Sequence, residues 1–224
     1  MNLLIAPNAL KGSLTALQAA EIIAHSLPDG WNAKLCPIAD GGDGTLDCLL
    51  SATGGRHFNA TVSGPLPGMK IDARWGVLGN SKIALIEMAE ASGLRLLKPG
   101  QYSAARTTTY GVGELILRAI DEGYRKILIG LGGSSTNDGG SGCATALGVR
   151  LLDKDRNPLP PGGVHLQELE SVDLSRIDRR VLECEIICLS DVNNLLHGPA
   201  GATRMFGSQK GATPEELENA NLRS

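Results

Sequence analysis

The stretch Lys126-Ile127-Leu128-Ile129-Gly130-Leu131-Gly132-Gly133-Ser134-Ser135-Thr136-Asn137-Asp138-Gly139-Gly140-Ser141-Gly142 decides the fold. After Lys126, residues 127–131 form a continuous apolar run, the signature of a buried strand. The run opens into a loop of Gly, Ser, Asn and Asp, and a helical pattern follows through Leu147. Strand, polar loop and helix in that order make the βα unit of a mostly parallel sheet. The order recurs along the chain. Leu3 to Ala6 leads into the loop Asn8 to Ser13 and a helix from about Thr15 to Leu27, with Leu17, Ala20, Ile23 and Ala24 on one face. Residues 33–38 lead into Asp40-Gly41-Gly42-Asp43-Gly44-Thr45 and a helix to about Ala52. A helix from about Gly111 to Glu122 precedes the quoted run, and residues 184–189 lead into Ser190-Asp191-Val192-Asn193-Asn194. Parallel sheets gather ligand sites at the carboxyl ends of their strands. All four Gly- and Asp-bearing loops fall there.

Residues 58–90 have a different texture. Thr61-Val62, Ile71 to Trp75 and residues 82–86 read as short strands joined by Gly-Pro and Gly-Asn turns, an antiparallel element or a second domain. Residues 154–178 read as a surface connection with a short strand.

Composition excludes several classes. The 224 residues carry a net charge of −3 and 3% aromatics, so neither a basic field for a phosphate backbone nor a stacking platform exists, and no nucleic-acid partner is expected. A hydrophobic share of 42% suffices for a core. No apolar run reaches a membrane span and the N-terminus lacks a signal peptide, so the expectation is a cytoplasmic protein with no membrane partner. Cys36, Cys48, Cys143, Cys184 and Cys188 show no metal spacing and read as small buried hydrophobes. Glycine is the outlier, at 29 residues.

Six of those glycines lie between 130 and 142. The dinucleotide pattern GxGxxG fails at Ser135, and no Walker motif is present. Yet backbone N–H groups of Gly132 and Gly133, with Ser134, Ser135, Thr136 and Asn137, stand at a helix start where an anion is favoured, so phosphate or nucleotide contact is expected. Asp40 and Asp43 can reach a shared Mg²⁺ or a substrate hydroxyl, or Asp40 can cap the following helix. Asp191 follows an apolar strand and serves chemistry or an Asx-turn. Lys11, beside Gly12 and Ser13, either neutralises phosphate or is solvated. Lys210 lies in Gln209-Lys210-Gly211-Ala212-Thr213-Pro214, where Thr213 can cap a helix with Pro214 at its first position and Glu216 at its third. Phosphoryl transfer needs cationic or N–H clamps together with metal-binding and base carboxylates, so a phosphotransferase is the leading class.

Four segments together resemble the bacterial type-1 glycerate kinases. Ala6-Pro7-Asn8-Ala9-Leu10-Lys11-Gly12-Ser13-Leu14-Thr15-Ala16 resembles the family's "APDSFKGSLSA" opening, and Pro37-Ile38-Ala39-Asp40-Gly41-Gly42-Asp43-Gly44-Thr45 its "PxADGGEGT" loop. Residues 130–140 resemble "GxGGSATNDGG", and Asp191-Val192-Asn193-Asn194-Leu195 with Phe206-Gly207-Ser208-Gln209-Lys210-Gly211-Ala212 resembles "DVxNPLxG…FxxQKGA". The resemblance runs from end to end. It implies an α/β fold of two domains, a Rossmann-like one with a mostly parallel sheet beginning at residues 1–57 and a mixed α/β one over 58–224. It implies ATP-dependent phosphorylation of D-glycerate with Mg²⁺, with 2-phosphoglycerate favoured as product. It leaves the oligomeric state open. Asp191 is then the base or hydroxyl-positioning group, with Lys11 and Asp40 also catalytic. Lys11, Ser13, Asp40 and Lys210 bind substrate, residues 132–137 bind the nucleotide, and Asp40 and Asp138 hold metal. The chain departs from the family at Asn8, where Asp is usual, and at Leu195, where Pro is usual. Family members also run on past Ser224. A shortened chain is expected to show unpaired strands and exposed apolar faces, and to be either a kinase or an inactive remnant with residual ligand binding.

Overall fold

The computed structural model describes residues 1–10, 13–195, 198 and 200–219. Among these, strands β1 (Asn2–Ile5) and β2 (Asn32–Leu35) pair in parallel as a two-stranded sheet. Helix α1 (Ala16–His25) connects them. It starts with a capping box, in which Gln18 N donates to Thr15 Oγ1 at 3.1 Å and Thr15 N donates to Gln18 Oε1 at 2.9 Å. The helix buries Ala16, Ala19 and Ala20, while Leu17 and Ile23 of the anticipated apolar face are exposed. Leu4, Ile22 and Ile38 of this unit are 61%, 53% and 48% exposed, so the anticipated apolar surface is present here.

The main sheet has five strands in the order β3 (Arg56–Ser63), β4 (Lys70–Val77), β5 (Ile83–Glu87), β6 (Lys126–Gly130) and β9 (Glu185–Leu189). The first three pair antiparallel, and β5, β6 and β9 pair in parallel. The sheet is therefore mixed. Its antiparallel edge is the differently textured stretch of sequence, and its parallel half holds two of the four βα loops. The other two loops follow β1 and β2 in the separate sheet. A small antiparallel pair, β7 (Arg150–Leu152) with β8 (Ser171–Asp173), completes the strands.

Each face of the main sheet has its own helix. Helix α4 (Tyr110–Asp121) presents Val112, Leu115, Ile116, Ala119 and Ile120 to Ala84, Ile86, Ile127 and Ile129. Helix α2 (Thr45–Thr53) presents Leu46 and Leu50 to Leu85, with Leu128 and Leu189 packed alongside. Alternate residues of β5 and β6 thus face opposite helices, as strands buried on both faces require. Strand β3 begins at Arg56, and α2, which precedes the anticipated boundary at residue 57, packs on the main sheet. Helix α3 (Met88–Ser92) follows β5 directly, and α5 (Ser141–Ala146) packs beside α4. The chain then passes through α6 (Ala202–Phe206) to α7 (Pro214–Asn219), where Thr213 N donates to Glu216 Oε2 at 2.8 Å and Glu216 N to Thr213 Oγ1 at 3.2 Å, the predicted cap. No helix among the described residues is long and apolar enough to cross a membrane.

Candidate functional site

Three loops meet at the carboxyl ends of β6 and β9. Gly132 N donates to Gly41 O at 2.8 Å, and Leu131 N donates to Leu189 O at 3.1 Å. The backbones touch: a Cβ on Gly132 would lie 2.4 Å from Gly42 Cα, and one on Gly130 would lie 2.7 Å from Gly41 O. Glycine is required at these positions so that loop can pack on loop. The loop carrying Asp40 is thereby seated over the end of the parallel strands, beside the segment that leads to Asp191.

The residues expected to cradle a nucleotide divide into two sets. Ser135 is buried, and its N and Oγ both donate to Ser92 O, each at 2.9 Å. Gly133 O accepts from Leu94 N at 2.9 Å, and the Asn137 side chain pairs with Thr203 Oγ1 at 3.2 Å. These groups brace the loop from inside. Ser134 and Thr136 instead face Lys210, whose Nζ donates to Ser134 Oγ at 2.8 Å and to Thr136 O at 2.7 Å. No carboxylate of the described residues lies within ion-pair distance of this ammonium. Burial pulls the Lys210 pKa below the ordinary lysine value, with the more distant Asp138 opposing.

Asp138 is in a different position from the one foreseen. It is 1% exposed, and its carboxylate accepts from Thr109 N and Thr109 Oγ1 at 2.8 Å each, Gly140 N at 3.1 Å and Gly142 N at 3.2 Å. Three of these donors go to Oδ2 and one to Oδ1, and together they tie the loop to the start of α4. It also supplies the negative charge that the start of α5 attracts.

Asp40 lies in the open part of the site. Its Oδ1 accepts from Gly42 N at 2.9 Å and its Oδ2 from Asn8 Nδ2 at 2.6 Å. Asn8 thus links the loop after β1 to the loop after β2. Ser13 is exposed in a turn closed by its N–H to Leu10 O at 2.9 Å. Asp191 is exposed two residues beyond β9, with no side-chain hydrogen bond or ion pair to any described residue. Lys11, expected at the phosphate or carboxylate, lies outside the described residues, as does Gly12.

Sequence reading missed a charged frame beneath these loops. Glu87 ends β5, and its carboxylate accepts from Gly44 N at 3.1 Å and Leu46 N at 2.9 Å. Glu90 Oε1 accepts from Arg74 Nη2 at 2.7 Å and Arg95 Nη2 at 2.6 Å. Arg74 continues to Asp47 at 2.9 Å and Arg95 to Asp43 at 3.1 Å. Burial raises the Glu87 carboxyl to about 7, its two N–H donors and Arg95 only partly offsetting this, while Glu90 adds to it. Burial pushes Glu90 up as well, but Arg74 and Arg95 outweigh it and hold the group below the usual carboxylate range. The signal was present: two glutamates three apart inside the apolar stretch Ile83-Ala84-Leu85-Ile86-Glu87-Met88-Ala89-Glu90-Ala91. Such residues are buried only with partners.

All five cysteines are free; Cys48 is buried, but Cys36 and Cys188 are exposed, which corrects their reading as core residues. Among the described residues no three His, Cys, Asp or Glu side chains are grouped to hold a metal ion.

Loops gathered over the carboxyl ends of parallel strands, with a lysine among neutral oxygens and exposed carboxylates, define an α/β protein whose candidate ligand site lies there. The chain belongs to the glycerate kinase family, whose model matches residues 3–223. It is 46% identical over 221 residues to a glycerate kinase of Bacillus subtilis (strain 168), covering 97% of this chain and 58% of that protein. It is 44% identical over 226 residues to a glycerate 2-kinase of Escherichia coli (strain K12), covering 98% of this chain and 59% of that one. A crystal structure of a protein assigned as glycerate kinase 2 from Salmonella typhimurium LT2 superposes with a TM-score of 0.83 at 44% identity, covering 99% of this chain and 60% of that chain. The chain therefore spans about three fifths of the length of these relatives.

Proposed function

We propose that this chain phosphorylates D-glycerate with ATP as donor and Mg²⁺ as its companion ion, giving 2-phosphoglycerate. The observation that carries this is Lys210, a cation lowered into the Ser134–Thr136 loop with only neutral oxygens as partners. A buried ammonium without a counter-ion is unfavourable, and an anionic oxygen beside it relieves that. Phosphate and the glycerate carboxylate both have that chemistry.

The exposed carboxylates fit the remaining tasks. Asp191 has its oxygens free to accept the reacting hydroxyl, which it positions and deprotonates as phosphate is transferred. Asp40, exposed in the loop after β2, is assigned to a substrate hydroxyl or a metal. Mg²⁺ takes few protein carboxylates beside phosphate oxygens and waters, so a single aspartate fits it. Bound ATP with Mg²⁺ supplies the phosphoryl group and screens its charge. The nucleotide-facing set is narrowed to Ser134 and Thr136, with Gly132 and Gly133 shaping the loop. Lys11 is retained as a second anion contact, and Ser13 as a hydroxyl beside it. ATP is a cytoplasmic metabolite, and the reaction is placed there.

The test is glycerate-dependent release of ADP, with the product identified by its phosphorus NMR spectrum. Turnover giving 2-phosphoglycerate, and a fall in kcat of at least about a hundredfold in Asp191→Asn, is the expected result for loss of a general base. ADP release that ignores glycerate overturns the proposal.

A further inference from the structure

We propose that Glu87 is a positioning residue for the reaction: its carboxylate clamps the start of α2 and so sets the loop that carries Asp40. This goes one step beyond the kinase reading and rests on it for its catalytic consequence, though not for its structural one.

The geometry is specific. Helix α2 begins after Gly44, which has φ +91° and no side chain to cap the helix. The first-turn donors are instead taken from across the fold. Glu87 Oε1 accepts from Gly44 N and Oε2 from Leu46 N, so both oxygens of one carboxylate serve one helix start. Between these two amides lies Thr45, whose Oγ1 accepts from Gly41 N at 3.1 Å and whose N donates to Gly42 O at 3.2 Å. Gly42 N in turn holds Asp40 Oδ1. Hydrogen bonds joined by the peptide link between Thr45 and Leu46 thus connect Glu87 to Asp40 through Gly42. Glu87 pairs in register with Gly130, and the backbone of Gly41 lies against that glycine. The clamp therefore stands beside the junction of the three site loops.

The charges around Glu87 come from each element packed on it. Glu90 of α3 repels it and Arg95, just beyond α3, attracts it. Arg95 is shared with Glu90 and with Asp43 of the loop, while Arg74 of β4 is shared between Glu90 and Asp47 of α2. The two arginines are thus committed to other carboxylates, and 1% exposure leaves Glu87 little water. Protonation near neutral pH follows. A protonated carboxyl has one oxygen carrying hydrogen, a much weaker acceptor than a carboxylate oxygen, so the hold on one of the two amides is loosened.

Two measurements decide the matter. In the unaltered protein, the amide resonances of Gly44 and Leu46 are followed by NMR against pH, with their hydrogen exchange. We expect both to titrate together with a midpoint near 7, and at least one to lose about tenfold or more protection on the acid side. In Glu87→Gln, whose amide fixes the one-acceptor state, we expect that titration to vanish. We also expect kcat for glycerate to fall about tenfold with its acid limb near pH 7 removed, while the melting cooperativity is retained. Gly44 and Leu46 amides that stay protected and unshifted from pH 5 to 9 would overturn the clamp. So would a Glu87→Gln protein with the parent's kcat and pH profile. If the unaltered protein shows no glycerate turnover, the kinase reading fails alone, because the amide titration still confirms or refutes the clamp.

Discussion

Lys210 Nζ lies 2.8 Å from Ser134 Oγ and 2.7 Å from the Thr136 carbonyl oxygen. This joins residues far apart in the chain, and it binds a cation to oxygens that carry no full charge. Its pKa is lowered, so the ammonium is more easily lost in the folded protein than in the unfolded chain. Stability contributed by this group accordingly rises with pH through the range just below the ordinary lysine value.

Lys210→Met is expected to keep the fold and raise the KM for ATP or glycerate by about tenfold or more, the effect of one lost charge-assisted hydrogen bond of roughly 1.5–3 kcal/mol. An anion beside Lys210 also restores its proton. Calorimetry of nucleotide binding at alkaline pH, in buffers of different ionisation heat, should register proton uptake that Lys210→Met lacks. Equal KM values and no uptake would return Lys210 to a structural role.

Asp138→Asn separates a structural carboxylate from a metal ligand. Its four internal donors leave no room for the amide NH₂ that asparagine would bring. A buried donor facing donors costs about 1–3 kcal/mol, more where the lost acceptor was charged. For a chain of this size about 3 kcal/mol lowers Tm by roughly 6–12 °C. The melting temperature should therefore fall in metal-free buffer. A variant that melts like the parent and loses only Mg²⁺ response would reinstate the metal role.

The strand–loop–helix units were legible because buried parallel strands are uniformly apolar and their loops are dense in Gly and Asp. The place of Asp191 in the segment after an apolar strand was legible, whereas the approach of Lys210, at the end of a 3-10 turn, to Ser134 and Thr136 was not. The division between the two sheets was not, since β1 and β6 carry the same local pattern and only tertiary pairing separates them. The neighbours of the glycines were not legible for a similar reason: Cβ atoms added at Gly132 and Gly133 would meet Gly42, Asp43 and Ala89. A sequence shows that a backbone must be approached closely, but not by what.

Two glycine substitutions test that distinction. Gly132→Ala would place Cβ 2.4 Å from Gly42 Cα, backbone against backbone, at the junction of the two loops. Overpacking of this kind costs typically 1–3 kcal/mol. Gly123 has φ +88° and nothing within 4 Å of an added Cβ. Its alanine variant bears only the left-handed backbone penalty of roughly 1 kcal/mol. Denaturant titration should rank Gly132→Ala as the more damaging; the reverse order would place the loops further apart than described.

The Glu87 carboxyl adds a pH dependence of known sign. Its folded pKa of about 7 lies above the ordinary 4.5, so between those values the folded protein holds a proton the unfolded chain has lost. This contribution to stability therefore falls as pH rises through that window, by about 3 kcal/mol at most. Subtracting the Glu87→Gln stability profile from that of the parent should leave a curve descending from pH 4.5 to 7. A flat or ascending difference contradicts the burial of a protonated carboxyl.

Asn8 donates to Asp40 Oδ2 at 2.6 Å, so an aspartate placed there would set two carboxylates in contact. Two carboxylates sharing a site do not both ionise freely, and one pKa rises strongly. A divalent cation removes the conflict by taking oxygens from both, which hard-oxygen ligation of Mg²⁺ permits. Asparagine instead contributes a donor, joining the two loops by a hydrogen bond without an ion. Asn8→Asp should then show a carboxylate titrating above the usual carboxylate range in NMR, by the like-charge effect. Millimolar Mg²⁺ should raise its Tm by a few degrees more than that of the parent, since an ion that binds only the folded state stabilises it by mass action. An Asn8→Asp protein with ordinary carboxylate titrations and the parent's response to Mg²⁺ would mean that the two loops part when the hydrogen bond is removed, and that Asn8 is what holds Asp40 in the site.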